Sequence, residues 1–169
     1  MAVYQNVEAF IEEYRNESQS TLKLLKALTD ESLSQEAAPG YRTLGELAWH
    51  LVHLEKGMLH MTGLKFDAPA ENSAPPSTAA EIADAYESTV DAMLEAVETQ
   101  WNDEKLEEVN NLFGFDWKNG LTLDIYLKHE IHHRGQLTIM MRLAGLPVSG
   151  VYGPSKEEWS TMGMEAPAY

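Results

Sequence analysis

The histidines of this chain are confined to two short stretches, residues 50–60 and 129–133. The six are His50, His53, His60, His129, His132 and His133. Two imidazoles four residues apart on a helix face the same side, so His129 and His133 can reach one ion. In a helical projection of the first stretch, His50 lies on the side that faces the protein interior. Three such rings suit zinc, nickel, iron or copper and leave coordination positions open.

An ordinary role for a buried histidine competes with this interpretation. One lone imidazole more often donates to a carbonyl or a carboxylate. Burying three without partners would cost on the order of a few kcal/mol each, and a single ion satisfies all of them. We therefore predict that His50, His129 and His133 are metal ligands. We expect the other three histidines to contact the ligands without binding the ion, or to lie on the surface.

Glu130 completes a His-Glu-x-x-His string, in which zinc metalloproteases use the glutamate as general base. No histidine follows His133 to act as a third ligand, so a protease is disfavoured. We expect Glu130 to orient a ring N–H, or to lie on the surface beside Arg134.

Four long helical patterns position these residues. Apolar spacings of three, four and seven predict an amphipathic helix over residues 3–28. Similar patterns predict helices over residues 78–101 and 122–144. Thr43 and Glu46 form a capping-box pattern that starts a helix running to about residue 62. Glu46 lies one turn before His50, and we interpret it as part of the cap rather than as a fourth ligand.

The connections are less regular. Residues 68–77 contain three prolines and predict an extended crossover between the second and third helices. Residues 103–120 carry alternating aromatic residues, typical of a short strand or a pinned loop, and we expect them to form the rim of the pocket. An apolar strip on the far side of the last helix either lies under the C-terminal tail or forms a dimer interface, and we favour a homodimer. The strip consists of Leu123, Leu127 and Ile131.

Composition bounds the remaining possibilities. The formal charge of −15 repels phosphate backbones and anionic membrane surfaces, so we predict no nucleic acid and no membrane partner. The absence of cysteine excludes disulfides, thiolate metal sites and cysteine nucleophiles. Acidic residues near the N-terminus and the lack of a long apolar stretch favour a cytoplasmic protein. The pattern as a whole predicts one all-α domain over residues 1–169, a four-helix bundle.

Three segments resemble motifs of the DinB (damage-inducible) family. The string from His129 to Leu137, with its flanks at residues 120–123 and 142–145, is similar to the signature of that family. Residues 43–51 resemble the second-helix motif, and residues 152–154 resemble the usual tail. The resemblance covers nearly the whole chain.

The resemblance implies a four-helix bundle with an up-down-down-up course and a long crossover between helices 2 and 3. It also implies a three-histidine site, commonly holding zinc or nickel, at His50, His129 and His133. Relatives in the wider superfamily include transferases and isomerases that act with low-molecular-weight thiols. Such a thiol, or another small molecule, is therefore an expected partner.

Two functional hypotheses follow. In the first, the chain is a metal-dependent enzyme of the thiol-transferase or hydrolase type, whose ion activates a thiol or water. In the second, it is a non-catalytic stress-response or binding protein with a structural metal. The lack of an evident fourth ligand favours the enzyme. Neither hypothesis assigns a catalytic residue beyond the metal ligands.

Overall fold

The computed structural model describes residues 4–70 and 72–168, and the side chains of residues 55 and 56 lie outside this description. Within these ranges the protein is mostly helical, with two short 3₁₀ helices and one β-hairpin. The α-helices are α1 (Val7–Leu25), α2 (Leu44–His60), α3 (Ala79–Gln100), α4 (Asn119–Leu143) and α5 (Glu158–Thr161). The 3₁₀ helices are Asp30–Ser34 and Asp103–Glu107, and the strands are β1 (Val109–Leu112) and β2 (Phe115–Lys118).

Side chains cap the first three long helices. The Asn6 side chain accepts a hydrogen bond from the Ala9 N–H at 2.8 Å. At the start of α2, the Glu46 N–H donates to the Thr43 hydroxyl at 3.1 Å, and the Thr43 N–H donates to the Glu46 carboxylate at 2.7 Å. This reciprocal pair confirms the predicted capping box. It also engages the Glu46 carboxylate at the helix end.

The helix bounds follow the predicted ones closely for α2 and α3. α1 is shorter than predicted, and residue 3 lies outside the described residues. α4 begins at Asn119, three residues before the predicted start at Thr122, directly after β2. The Asn119 side chain is buried, accepts from the Asn110 amide at 2.8 Å and donates to the Lys105 carbonyl at 3.0 Å. These bonds fix the first turn without a side-chain cap.

The core lies between the four long helices. α2 packs against α3 and α4, and α1 packs against α3 and α4. Leu123 and Leu127 are 0% and 4% exposed, so they belong to the core of the chain itself. These two residues therefore do not form a dimer interface, because α4 is buried on several sides, which periodicity alone does not show. Ile131, the third residue of the predicted strip, is partly buried against the core. A homodimer stays a prediction.

The segment between α3 and α4 forms an antiparallel hairpin, with Val109 opposite Lys118 and Leu112 opposite Phe115. Its turn places Phe113 and Gly114 at φ 55° and 87°, the left-handed region that a tight hairpin turn requires. Two of the alternating aromatics, Phe115 and Trp117, therefore lie in a strand, one of the two predicted possibilities, and Phe113 lies in the turn.

The crossover from α2 to α3 is held against α2, since the Trp49 indole N–H donates to the Ser73 carbonyl at 2.9 Å. None of the helices in the described ranges has the length and apolar character that a membrane span needs.

Candidate metal centre

The packing of α2 against α4 brings three imidazoles together. His129 and His133 lie one turn apart on α4, and His50 faces them from α2. The Nε2 atom of His133 lies 2.8 Å from Nε2 of His129 and 3.2 Å from Nε2 of His50. One nitrogen from each of the three rings falls within 4.8 Å of the others. These are the residues that the helical projections placed on facing stripes.

Gln136 fixes the orientation of the His133 ring. Nδ1 of His133 lies 2.8 Å from the Gln136 side-chain oxygen, an acceptor, so Nδ1 carries the proton and donates it. The Nε2 lone pair of His133 is then directed at the other two rings. The amide of Gln136 donates in turn to His132 at 3.1 Å. An outer hydrogen bond of this kind orients a metal-binding imidazole and sets its tautomer.

The donor set fits a metal ion. Two nitrogens bound to one tetrahedral zinc at about 2.0–2.1 Å lie roughly 3.3 Å apart. The observed Nε2 separations of 3.2 Å and 2.8 Å are near that value. Without an ion, Nε2 of His133 would have to accept protons from both neighbouring rings. An ion instead takes one lone pair from each ring, so the cluster could hold a metal.

Burial keeps the three rings neutral, which is the form that binds metals. It lowers the pKa of His50 to about 4, and the positive charge of Arg42 adds to this effect. Burial is also the main cause that lowers the pKa of His129, and the charges of His132 and Arg42 lower it further. Burial lowers the pKa of His133 as well, although the hydrogen bond of His133 to Gln136 opposes this shift.

Two clefts open beside the cluster. One, of about 560 Å³, has His50 in its wall, and the other, of about 520 Å³, has His133 and Gln136. Tyr41 and Arg42, from the loop before α2, line both clefts. His50 and His133 are thus accessible to small molecules.

The prediction that residues 103–120 form the rim is wrong for these clefts, which are lined by other segments. The hairpin joins α4 at Asn119. Ten residues of helix, roughly 15 Å, separate that position from His129.

The Glu130 carboxylate belongs to a hydrogen-bond network separate from the three histidines. It is 1% exposed, and its carboxylate accepts hydrogen bonds from the hydroxyls of Tyr14, Thr21 and Tyr86. The Thr21 and Tyr86 bonds are both 2.6 Å long. The two roles expected for Glu130, orienting a ring N–H and lying on the surface beside Arg134, are therefore both wrong. A carboxylate enclosed in this way is also poorly placed to act as the general base of a protease.

Arg134 is buried beside this carboxylate and pairs with Glu17 of α1. Its guanidinium also donates to the Glu17 carbonyl at 2.9 Å and to the Tyr152 hydroxyl at 2.8 Å. Tyr152 donates to the Glu17 carboxylate at 2.6 Å, so the C-terminal tail is tied to α1 and α4. The helical patterns of the sequence do not predict this network. The available signal was a pair of polar residues, Tyr14 and Thr21, within the apolar stripe of α1.

The other three histidines lie outside the cluster. His132 is exposed and bonded to Gln136. His53 packs edge-on against Trp49, and His60 packs edge-on against Phe66.

Comparison with known proteins places the chain among DinB proteins. The model of the DinB family matches residues 1–166. An uncharacterized protein of Bacillus subtilis (strain 168), YrdA, is 44% identical over 165 residues, which cover 98% of this chain and 99% of YrdA.

Two solved structures are also similar. A DinB-like protein from Bacillus cereus ATCC 10987 has 45% identity and a TM-score of 0.85, over 88% of this chain and 99% of that one. The DinB-like protein YjoA of B. subtilis has 18% identity and a TM-score of 0.64, over 82% and 95% of the two chains, and shows a shared fold alone.

Proposed function

The chain belongs to the DinB family, and we propose that it is a metal-dependent enzyme that acts on small molecules. Its ion would be held by His50, His129 and His133. The observation that carries the proposal is the convergence of the three Nε2 atoms at the junction of α2 and α4.

The ligand set favours zinc or nickel, since both accept three neutral imidazoles. Among the described residues, the cluster contains three histidines and no carboxylate as a fourth ligand. Glu46, the nearest candidate by sequence, bonds to the Thr43 N–H in the helix cap. A set of three protein ligands with clefts beside it supports a catalytic ion, because structural zinc sites hold four protein ligands.

The chemistry follows from the site. A bound ion would lower the pKa of a thiol or water molecule that reaches it, which is the requirement for a thiol transferase or a hydrolase. The residues of the chain supply the rest of the arrangement. Gln136 holds the ring of His133, burial keeps the imidazoles unprotonated, and the clefts admit a low-molecular-weight thiol or a comparable substrate.

For the fold, we propose a four-helix bundle with the up-down-down-up course. The contacts of α1 and α2 with both α3 and α4 support a closed arrangement of four helices. The connection of residues 61–78 between α2 and α3 supports a crossover along the length of the molecule.

A turnover screen tests the proposed function. Zinc- and nickel-loaded protein would be assayed with thiols plus electrophiles, and with esters and amides, beside His133→Ala and His132→Ala. We expect turnover that chelators and His133→Ala abolish and that His132→Ala retains. Turnover that neither chelators nor the His133→Ala substitution reduces would contradict the proposal. A closed coordination shell with no turnover would favour the structural-metal alternative.

A further inference from the structure

Arg42 lies next to the candidate metal centre and has no assigned role. It immediately precedes Thr43, the residue that caps α2, and its side chain is exposed. It lines the cleft that contains His50 and also the cleft that contains His133. A molecule bound in either cleft would therefore meet this guanidinium.

Within the described part of the chain, Arg42 forms no ion pair, whereas seven other basic side chains do. Two carboxylates line one of the same clefts, Glu36 and Glu46, yet neither pairs with it. An unpaired guanidinium is notable in a chain with 27 acidic and 12 basic residues. Its charge is left available to a ligand.

The charge of Arg42 reaches the histidine cluster. It contributes to the lowered pKa of His50, His129 and His133. Arg15 gives a useful contrast, since it is also exposed and outside the described ion pairs but lines neither cleft. The position of Arg42, rather than its charge alone, sets it apart.

We propose that Arg42 binds a carboxylate of the small molecule that reaches the metal. The substrate or co-substrate then carries two groups, a donor atom for the ion and a carboxylate for the guanidinium. This inference rests on the proposed metal site and names the class of molecule that uses it. The planar fork of a guanidinium matches a carboxylate with two parallel hydrogen bonds.

The surrounding charges favour a carboxylate over a phosphate. Arg42 supplies one positive charge, and Glu36 and Glu46 lie along the same cleft. Near Arg42 these two glutamates repel a phosphate dianion more strongly than a carboxylate, while the donor atom of the ligand faces the charge of the ion. Because the protein as a whole carries −15, a local cation is also what allows an anionic substrate to approach.

The inference is tested by measuring ligand binding to the cobalt-loaded protein. A thiol that binds the cobalt ion changes the visible absorption of that ion. The probes are mercaptoacetate, 3-mercaptopropionate and 4-mercaptobutyrate, each compared with its neutral amide. The three chain lengths cover different reaches from the ion. In the parent protein we expect at least one acid to bind about tenfold more tightly than its amide, as a charge-assisted pair allows.

In Arg42→Gln the acid and its amide should bind equally, and in Arg15→Gln the parental preference should remain. The cobalt absorption of the thiol-free variants shows that the metal site is intact. A parent without any preference, or a preference that persists in Arg42→Gln, would overturn the role of Arg42 while leaving the metal site standing. Failure of the parent to take up cobalt would overturn the metal site itself, and the role of Arg42 with it.

Discussion

α4 carries two pairs of residues at the same four-residue spacing, and their surroundings are opposite. His129 and His133 point their Nε2 atoms at each other and at His50, beside two open clefts. Glu130 and Arg134 each follow one of these histidines and are 1% and 2% exposed. Glu130 accepts hydrogen bonds from hydroxyls of α1 and α3, and Arg134 pairs with a carboxylate of α1. One pair faces a space that an ion can fill, and the other is already satisfied.

The difference shows what separates a functional polar cluster from a structural one in this molecule. In the carboxylate network, each described contact joins a donor to an acceptor, so nothing further is needed to stabilise it. In the histidine cluster, three ring nitrogens converge, and the hydrogen-bonding roles of the His50 and His129 nitrogens depend on their tautomers. Variants of Glu130, Gln136 and His50 separate these two roles.

Removing the carboxylate should damage the fold and spare the metal site. Glu130→Ala leaves the hydroxyls of Tyr14, Thr21 and Tyr86 without their acceptor. We expect the free energy of unfolding of the metal-free protein to fall by about 3–5 kcal/mol, measured by urea denaturation with a chelator present. The folded fraction should still bind metal.

Two variants sharpen that result. Glu130→Gln keeps one acceptor oxygen and should cost less than Glu130→Ala. His133→Ala should also cost less, because its partner Gln136 is exposed and can bond to water. A metal-free Glu130→Ala protein as stable as the parent would contradict the structural role of the network.

Loss of the outer hydrogen bond should weaken the metal site without removing it. Gln136→Leu deletes the acceptor for Nδ1 of His133, and we expect metal affinity to fall roughly 10- to 100-fold. Competition with a chromophoric chelator measures the change. Gln136→Glu retains an acceptor and should restore tight binding. If the leucine variant bound metal as tightly as the parent, Gln136 would have no part in orienting the ring.

The smallest effect concerns pH. The folded-state pKa of His50 is lowered from 6.5 to about 4, so the unfolded chain binds protons first as the pH falls. Stability of the metal-free protein should therefore be unaffected well above pH 6.5 and should decline as the pH falls from 6.5 towards 4. Since the ring is partly exposed, solvent screening limits the loss to about 1 kcal/mol.

Urea denaturation across this range, on the parent and on His50→Gln, measures the contribution of His50. The variant should lose less stability on acidification because it lacks this titrating ring. Equal losses in both proteins would show that burial of His50 does not determine the acid response.

The sequence was sufficient for the features that depend on local periodicity. Apolar spacing located α1 to α4, and the Thr43–Glu46 pattern located the start of α2. The same 100° projection selected His50, His129 and His133, because stripes on adjacent helices of a small core must face each other. Nothing beyond single-helix geometry was needed to choose them.

Features that depend on distant partners were not predictable in this way. The partners of Glu130 come from α1 and α3, and Tyr14 and Thr21 are 116 and 109 residues away along the chain. A single-stripe projection of α4 could not place Glu130 in the core, because this helix is buried on more than one side. The position of the pocket rim likewise depends on where the loop before α2 lies, which no local pattern gives.

Metal binding by His50, His129 and His133 can be measured as metal content by mass spectrometry. The protein would be purified without an affinity tag and incubated with zinc or nickel, beside His133→Ala and its neighbour control His132→Ala. We predict about one ion per chain in the parent and in His132→Ala, and almost none in His133→Ala. A parent that binds no ion, or a His133→Ala protein that binds as much as the parent, would contradict the central claim.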